Sequence, residues 1–300
     1  MTIVKKLKRN IVYYLACLLV WLFSAMPRRL AVFAGACLGL AAWRFLSKDQ
    51  HKVHRHLSLT FPDRLNSRQQ QNIGRELFIN SGKNLSDVVR LRRHYEKSIR
   101  PLITFEGLEH FDSVMKREKG VIGITGHIGN FELLGAAVAQ LGYRIAVIGR
   151  QLYDPRLDEI LVENRRTMGL TVFSTTESPR RILQWLRSGG ALGVLIDTDS
   201  IRVRGIFLPF FGRLANTPVG QTLLGLRTGS AFVPMACVRT DDNRYRVIIR
   251  PEVRVALSGD TAQDARKVTL ECVRALEQII EAYPTQWIWF HNRWHTRPED

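Results

Sequence analysis

The rhythm of hydrophobic and polar positions changes three times along this 300-residue chain, and each change predicts a different kind of element. From Ile11 to Met26 the chain is continuously apolar, aromatic as well as aliphatic, with Ser24 as its one small polar residue. After Pro27-Arg28-Arg29 a second apolar stretch, rich in Ala and Gly, runs from Leu30 to Trp43. Proline has no N–H and a fixed φ, so the pattern predicts two short helices meeting at Pro27. At 1.5 Å per residue the first run reaches only ~24 Å against a hydrocarbon core of ~30 Å. It is therefore a marginal span, and an interfacial anchor or shallow hairpin suits it as well. From Ser47 to about Arg100 the spacing is helical, broken at Phe61-Pro62-Asp63, with an amphipathic helix from Ser67 to Val89.

Beyond residue 100, short apolar runs alternate with helical stretches, as in an α/β domain. Strands are expected at Val121 to Thr125, Arg144 to Ile148, Thr171 to Phe173, Ala191 to Ile196, Ala231 to Val238, Arg244 to Ile249 and Gln286 to Phe290. Ser178-Pro179 reads as a helix start, serine capping and proline in the first turn, and Gly189-Gly190 as its end. The simplest division is a membrane-anchoring segment over residues 1–45 and one catalytic domain over 46–300.

Composition narrows the partners. Lys plus Arg number 44 against 27 acidic residues, a formal charge of +17, which favours polyanions: nucleic acid, anionic lipid or an acidic carrier protein. No zinc-finger spacing or RNA-binding signature is present, so nucleic acid is disfavoured. The apolar N-terminus, preceded by Lys5, Lys6, Lys8 and Arg9, supports the membrane independently. Ser24-Ala25-Met26 is a poor signal-cleavage site. The densest basic run, Arg90, Arg92, Arg93, Lys97 and Arg100, reads as a solvated face, or alternatively as a docking site for phosphate or an acidic carrier. Four scattered cysteines fit a reducing compartment, and His51, His54 and His56, interleaved with Lys52 and Arg55, read as a basic surface, so no metal or other cofactor is expected.

The chemistry centres on Gly126-His127-Ile128-Gly129-Asn130-Phe131-Glu132, directly after the strand expected at Val121 to Thr125. Glycines on either side of the histidine permit a sharp turn and a close approach to a ligand. If a helix starts near Asn130, a helical path would hold His127 and Glu132 about 140° apart. His127 must therefore sit in the turn if Glu132 is to orient the ring, a pairing that activates a hydroxyl nucleophile. The spacing alone is weak, since His295 and Asp300 repeat it in the tail without glycine or strand. Further polar residues fall where strands of such a sheet would end, facing the ligand crevice: Arg150, then Arg165 on the following helix, and Asp197-Thr198-Asp199.

With these residues in place the chain resembles the bacterial lipid A biosynthesis acyltransferases, the late lauroyl/myristoyl transferases of the lysophospholipid acyltransferase superfamily. The resemblance extends over nearly the whole chain and rests on several motifs. They are the apolar N-terminus, Leu57 to Pro62, the His127/Glu132 motif, Arg150 with Asp154-Pro155, the spacing from Leu157-Asp158 to Arg165, Asp197/Asp199 with Phe210-Phe211-Gly212, and the ending Gln286 to Trp294. Many relatives carry Asp at the second acidic position, and Ser58 stands where Asn is usual. The resemblance implies a mixed β-sheet flanked by helices, and transfer of a fatty acyl group from an acyl carrier protein thioester to a hydroxyl of a phosphorylated glycolipid, a lipid A precursor.

On that reading His127 is the general base and Glu132 orients it. Main-chain N–H groups near Gly129 and Asn130 stabilise the oxyanion, and Arg150 and Arg165 clamp phosphate. Asp197 and Asp199 are candidates for substrate binding or turn capping, and Phe207, Phe210 and Phe211 for an acyl channel or, more plainly, core. The expected location is the inner membrane with the catalytic domain on the cytoplasmic side. An acyl-CoA-dependent enzyme acting on another glycolipid or lysophospholipid, and a non-catalytic basic membrane-binding protein, remain open at this stage.

Overall fold

The structure is a computed structural model that describes residues 3–199 and 203–298; Asp300 and the side chains of Lys5 and Lys6 lie outside the description. The N-terminal pattern forms helix α1 (Ile3–Ala25) and helix α2 (Arg28–Phe45), with the break at Pro27. The stretch Leu7–Ala25 is long and apolar enough to cross a membrane, and only 11% of it is buried, so it is not a core helix. Leu7, Ile11, Leu15, Leu18 and Trp21 all point outward.

Helix α2 behaves differently, because its small residues bring two backbones together. A Cβ added to Gly35 would lie 2.4 Å from the Gly82 carbonyl, and one on Gly39 2.1 Å from that of Phe78. Both partners belong to the amphipathic helix α4 (Ser67–Val88), which starts with a reciprocal capping box between Asn66 and Gln69. Between them lies α3 (Ser47–Thr60), ending at the expected break. The second apolar stretch is thus docked on the domain by one face, with Ala31, Val32 and Trp43 buried, while Leu30, Phe33 and Phe45 on the other face are exposed.

The corner between α1 and α2 is held by polar groups. Arg90 is buried, and its guanidinium donates to the carbonyls of Phe23 and Met26, while His94 Nε2 donates to the Ser24 carbonyl at 2.8 Å. These donors close the carbonyl end of α1, where the helix dipole favours the Arg90 charge. Arg90 is therefore removed from the basic run that the sequence reads as a solvated face or, alternatively, a docking site; Arg92, Arg93 and Lys97 remain exposed. Arg28 meets the fully buried Asp87 with two hydrogen bonds of 2.9 Å, and Arg239 and the Tyr245 hydroxyl donate to the same carboxylate. Breaking such a buried cluster costs roughly 3–5 kcal/mol, since a desolvated charge would be left unpaired.

Past α5 (Leu91–His94), a π turn over Tyr95–Ile99 and a 3-10 turn over Arg100–Leu102, the chain alternates strands and helices. In order these are β1 (Ile103–Glu106), α6 (Leu108–Met115), β2 (Val121–Thr125), α7 (Phe131–Ala139), β3 (Ile145–Gly149), α8 (Pro155–Thr167) and β4 (Thr171–Ser174). There follow α9 (Pro179–Arg187), β5 (Ala191–Leu195), β6 (Gly205–Phe210), β7 (Arg213–Pro218), α10 (Gly220–Thr228), β8 (Ala231–Arg239), β9 (Tyr245–Ile249) and α11 (Thr261–Ala282). Seven strands form one mixed sheet in the order β1-β9-β8-β2-β5-β3-β4, parallel except for the β8/β9 pair, and β6 with β7 makes a separate antiparallel hairpin.

Every residue of β2 is buried, as in a parallel strand covered on both faces. Ile122 and Ile124 join the core beneath α9, α11 and the C-terminal tryptophans, while Val121 faces the opposite core with α6 and α7. Six of the seven expected strands form. The seventh, Gln286 to Phe290, does not: Trp289 N bonds to the Trp287 carbonyl and His291 N to that of Ile288, so the backbone curls on itself. Its one sheet-like link among the described residues is an antiparallel bridge between Ile128 and Trp287. Strand β1 and the β6–β7 hairpin are additions to the expected set.

Candidate active site

The site forms at the carboxyl ends of β2, β5 and β3, which are neighbours in the sheet. Strands β2 and β5 run parallel with Thr125 opposite Leu195, so two residues further on His127 and Asp197 come side by side. The contact is intimate. Asp197 Oδ1 accepts from His127 Nδ1 at 2.9 Å, and Asp197 Oδ2 accepts the His127 backbone N–H at 2.6 Å and Trp287 Nε1–H at 2.8 Å. Gly126 makes room for this, since a Cβ there would lie 2.8 Å from Asp197 Oδ2.

Asp197 is fully buried, which opposes its charge, yet the His127 ring and these hydrogen bonds hold its carboxyl well below the usual range. Burial likewise opposes a charged His127, but the charge and hydrogen bond of Asp197, with a smaller contribution from Glu132, outweigh it, and His127 titrates above an ordinary histidine. Because Nδ1 donates to the carboxylate, the neutral ring keeps its lone pair on Nε2, the nitrogen left for a substrate proton.

His127 therefore sits in the turn, as the spacing requires, but the carboxylate that bonds its ring is Asp197. Glu132 lies in the first turn of α7 and is held by Arg165, from the last turn of α8, through two hydrogen bonds of 2.9 and 2.5 Å. The guanidinium lies across the end of β3, where a Cβ on Gly149 would meet Arg165 Nη1 at 2.7 Å. Arg165 is thus committed within the protein and Glu132 reaches His127 by charge alone. Arg150, just beyond β3, is exposed and makes no hydrogen bond or ion pair among the described residues. Asp199 holds the C-terminal segment, accepting from the backbone N–H groups of His295 at 2.9 Å and Thr296 at 2.7 Å, and from Asn216.

The two backbone donors expected to hold an oxyanion are already spent. Gly129 N–H donates to the Gln286 carbonyl at 2.9 Å and Asn130 N–H to the Cys237 carbonyl at 2.7 Å. Gly129 has φ +57°, and a Cβ there would lie 2.0 Å from the Cys237 oxygen, so only glycine fits. Asn130 caps α7 by accepting from Leu133 N–H, and its amide donates to the Tyr245 hydroxyl. Both residues build the turn instead of binding substrate with these groups.

Beside the turn an apolar cavity of about 50 Å³ runs between α7 and the sheet, lined among others by Gly123, Thr125, Phe131, Gly135 and Gly193. Phe210, a candidate for an acyl channel, is instead fully buried against Trp287 and Trp294 in the opposite core. Trp287 is a site residue that the sequence placed only on an expected strand, and His291, whose ring lies 5.8 Å from that of His127, was covered only by the C-terminal motif. No three His, Cys, Asp or Glu side chains are grouped to hold a metal among the described residues.

With the geometry in view, comparison with known proteins is informative. The family profile "Bacterial lipid A biosynthesis acyltransferase" matches residues 2–296. The chain is 25% identical to the lipid A biosynthesis lauroyltransferase of Escherichia coli (strain K12), over 93% of this chain and 90% of the relative. It is 25% identical to the palmitoleoyltransferase of the same organism, over 93% and 89%, and 22% identical to its myristoyltransferase, over 87% and 80%.

Substitutions at four positions test the pairing. Asp197→Asn should lower kcat by roughly 10²–10⁴, the scale of a lost carboxylate in a His–Asp pair elsewhere, and move the acid limb of kcat/KM to lower pH. If His127 is the base, the sign is fixed: activity is lost as pH falls through its raised pKa, and removing the carboxylate lowers that pKa. Rate measurements on double variants should show Asp197→Asn adding little to His127→Ala, while Glu132→Gln couples to Arg165→Ala. Strong coupling of Glu132 to His127 and none of Asp197 would reverse the assignment.

Proposed function

Because this chain belongs to the family of bacterial lipid A biosynthesis acyltransferases, and is therefore an O-acyltransferase, we propose that it moves a fatty acyl chain from acyl carrier protein to a hydroxyl of a phosphorylated lipid A precursor. The observation that carries the mechanism is the His127–Asp197 pair, whose histidine ring packs against Phe131, a residue lining the apolar cavity. His127 Nε2 takes the proton of the acceptor hydroxyl as that oxygen attacks the thioester carbonyl. Asp197 fixes the tautomer and stabilises the imidazolium, which then protonates the departing thiolate. No covalent acyl-enzyme is needed. Glu132 and Arg165 shape the rim of the site as an ion pair, and Arg150, uncommitted at the end of β3, is the group we assign to substrate phosphate.

We assign the cavity between α7 and the sheet, whose glycines leave space where side chains would otherwise meet, to one end of the acyl chain, since about 50 Å³ holds only a short stretch of it. A Cβ on Gly193 would find its nearest neighbour at 3.5 Å, so a larger side chain is tolerated there at the expense of cavity volume. Gly193→Val should shift preference toward shorter acyl donors while leaving kcat for those donors within about threefold, read from competition between thioesters of different length. An unchanged length preference would remove the cavity from the acyl path.

Membrane placement follows from α1 and the outer face of α2. We place α1 as the anchor, α2 in the interface, and the catalytic domain on the cytoplasmic side of the inner membrane, where carrier-bound acyl groups are made. Protease added to the periplasmic side of intact cells should leave the domain uncut; digestion there would refute the topology.

The donor is the third element of the proposal. Acyl carrier proteins are strongly acidic, and this chain offers Arg92, Arg93 and Lys97 as exposed cations on one basic run, with Arg100 beside Glu96. The apparent KM for an acyl carrier donor should rise several-fold between roughly 50 and 300 mM salt, while that for a small thioester changes less. Equal salt dependence for the two donors would count against carrier docking, and transfer from acyl-CoA alone would exclude it.

A further inference from the structure

An acyl-transfer centre gains most from a donor aimed at the oxygen on which charge develops. The amides of Gly129 and Asn130 are occupied within the protein, so this group has to come from elsewhere. His291 has the required properties. Its ring lies beside that of His127, centroids 5.8 Å apart and planes within 23° of parallel. Its Nδ1 is buried with no hydrogen-bond partner among the described residues, while the half-buried ring leaves Nε2 accessible and equally uncommitted.

The segment that carries His291 is fixed on both sides. Its own N–H donates to the Ile288 carbonyl at 2.9 Å, its carbonyl accepts from Arg293 N–H at 3.0 Å, and Ile288 N–H donates to the His127 carbonyl at 3.2 Å. Arg293 is fully buried, its guanidinium over the Phe210 ring and bonded to Asn216 and Thr217. Asp199 secures the backbone beyond it. The histidine is thus delivered to the site by a braced loop.

We propose that His291, neutral and carrying its proton on Nε2, is a second catalytic residue that donates a hydrogen bond to the thioester carbonyl oxygen as it becomes an oxyanion. The assignment deepens the acyl-transfer reading above and rests on it. In the first step the acceptor oxygen bonds to the carbonyl carbon, the hydroxyl proton passes to His127 Nε2, and the C=O π pair moves onto the oxygen held by His291. In the second step that pair returns, the C–S bond breaks, and the thiolate takes the proton from His127. His291 ends as it began.

The surroundings keep the two roles apart. Burial first of all pushes His291 below the usual histidine range, and the neighbouring His127 and Arg293 cations add to this against the opposing pull of Asp197 and Asp199. His127 is shifted the other way. When His127 takes up the hydroxyl proton its charge disfavours protonation of His291 further, so one ring serves as base and the other stays a neutral donor.

The test uses the full chain in detergent with a small acyl thioester and the glycolipid acceptor. His291→Phe preserves an aromatic ring without a donor, and His291→Gln preserves an N–H without the ring. The Phe variant should lose kcat by roughly 10²–10³, the scale of one lost oxyanion donor, with KM for both substrates and the melting temperature nearly unchanged. The Gln variant should recover at least about tenfold of that loss. The acid limb of the pH profile should stay where the wild type has it. The proposal is overturned if His291→Phe keeps near-normal kcat, if Gln is no better than Phe, or if the acid limb follows His291, which would make it the base. Absence of acyl transfer by the wild type itself, from either carrier or CoA thioesters, would instead sink the underlying reading of function.

Discussion

Three hydrogen bonds to one buried carboxylate hold the functional end of this molecule together. Asp197 lies two residues beyond β5, yet it accepts from the backbone and ring of His127 beyond β2 and from the indole of Trp287 in the C-terminal segment. A desolvated carboxylate with fewer donors would be expensive to keep ionised, and with all three it is held in its charged form. Its charge does two jobs that cannot be separated. It sets the tautomer and basicity of His127, and it recruits the tail that closes over the turn. The loop carrying His291 reaches the site because Trp287 and Gln286 are tied to the same turn.

The +17 charge acquires a different meaning once the arginines are placed. Arg28, Arg90, Arg165, Arg239 and Arg293 are used internally, on carboxylates or on backbone carbonyls that a helix end or a hairpin leaves open. The planar, forked guanidinium suits such sites better than an ammonium does. Burial costs Arg293 enough to bring its pKa down to about 10. Net charge counts these groups equally with exposed Arg92, Arg93 and Lys97, so it overstates what the surface presents to a partner.

Much of the fold was legible because each buried parallel strand is a short apolar run between turn residues. The position of His127 was legible because Gly126 and Gly129 flank it. What the residues did not disclose was the ring's partner. A spacing of four residues between His127 and Glu132 is visible along the chain, whereas Asp197 lies 70 residues away and meets His127 only through the β2/β5 register. The Asp-Thr-Asp ending on the adjacent strand was the available signal, and strand order was the missing fact. The tail misled for a related reason. Trp287 and Trp289 stand two apart, as on one face of a strand, and both are fully buried, but tight turns rather than sheet pairing place them there. Strand β1 has only four residues, two of them exposed, and gives no apolar run to read.

The same polar economy joins the membrane end of the chain to the chemistry. Asp87 receives Arg28 from the start of α2 and Arg239 from the end of β8, and Arg239 Nε also donates to Asn84. Asn84 in turn donates to the Gly129 carbonyl, inside the turn that presents His127. Tyr245 closes the circuit, donating to Asp87 and accepting from Asn130. Every link is a hydrogen bond of 2.8–3.1 Å between buried or partly buried groups, and such a network is stiff because any member that moves strands another. Helices α2 and α4 cannot slide to relieve it, since their glycines place the two backbones in contact. The angle between the apolar N-terminal corner and the crevice is therefore fixed by packing and not by a linker. On the proposed reading the acceptor is a membrane lipid, and this rigidity serves it, because the hydroxyl would then reach His127 from a surface whose position the N-terminal corner defines.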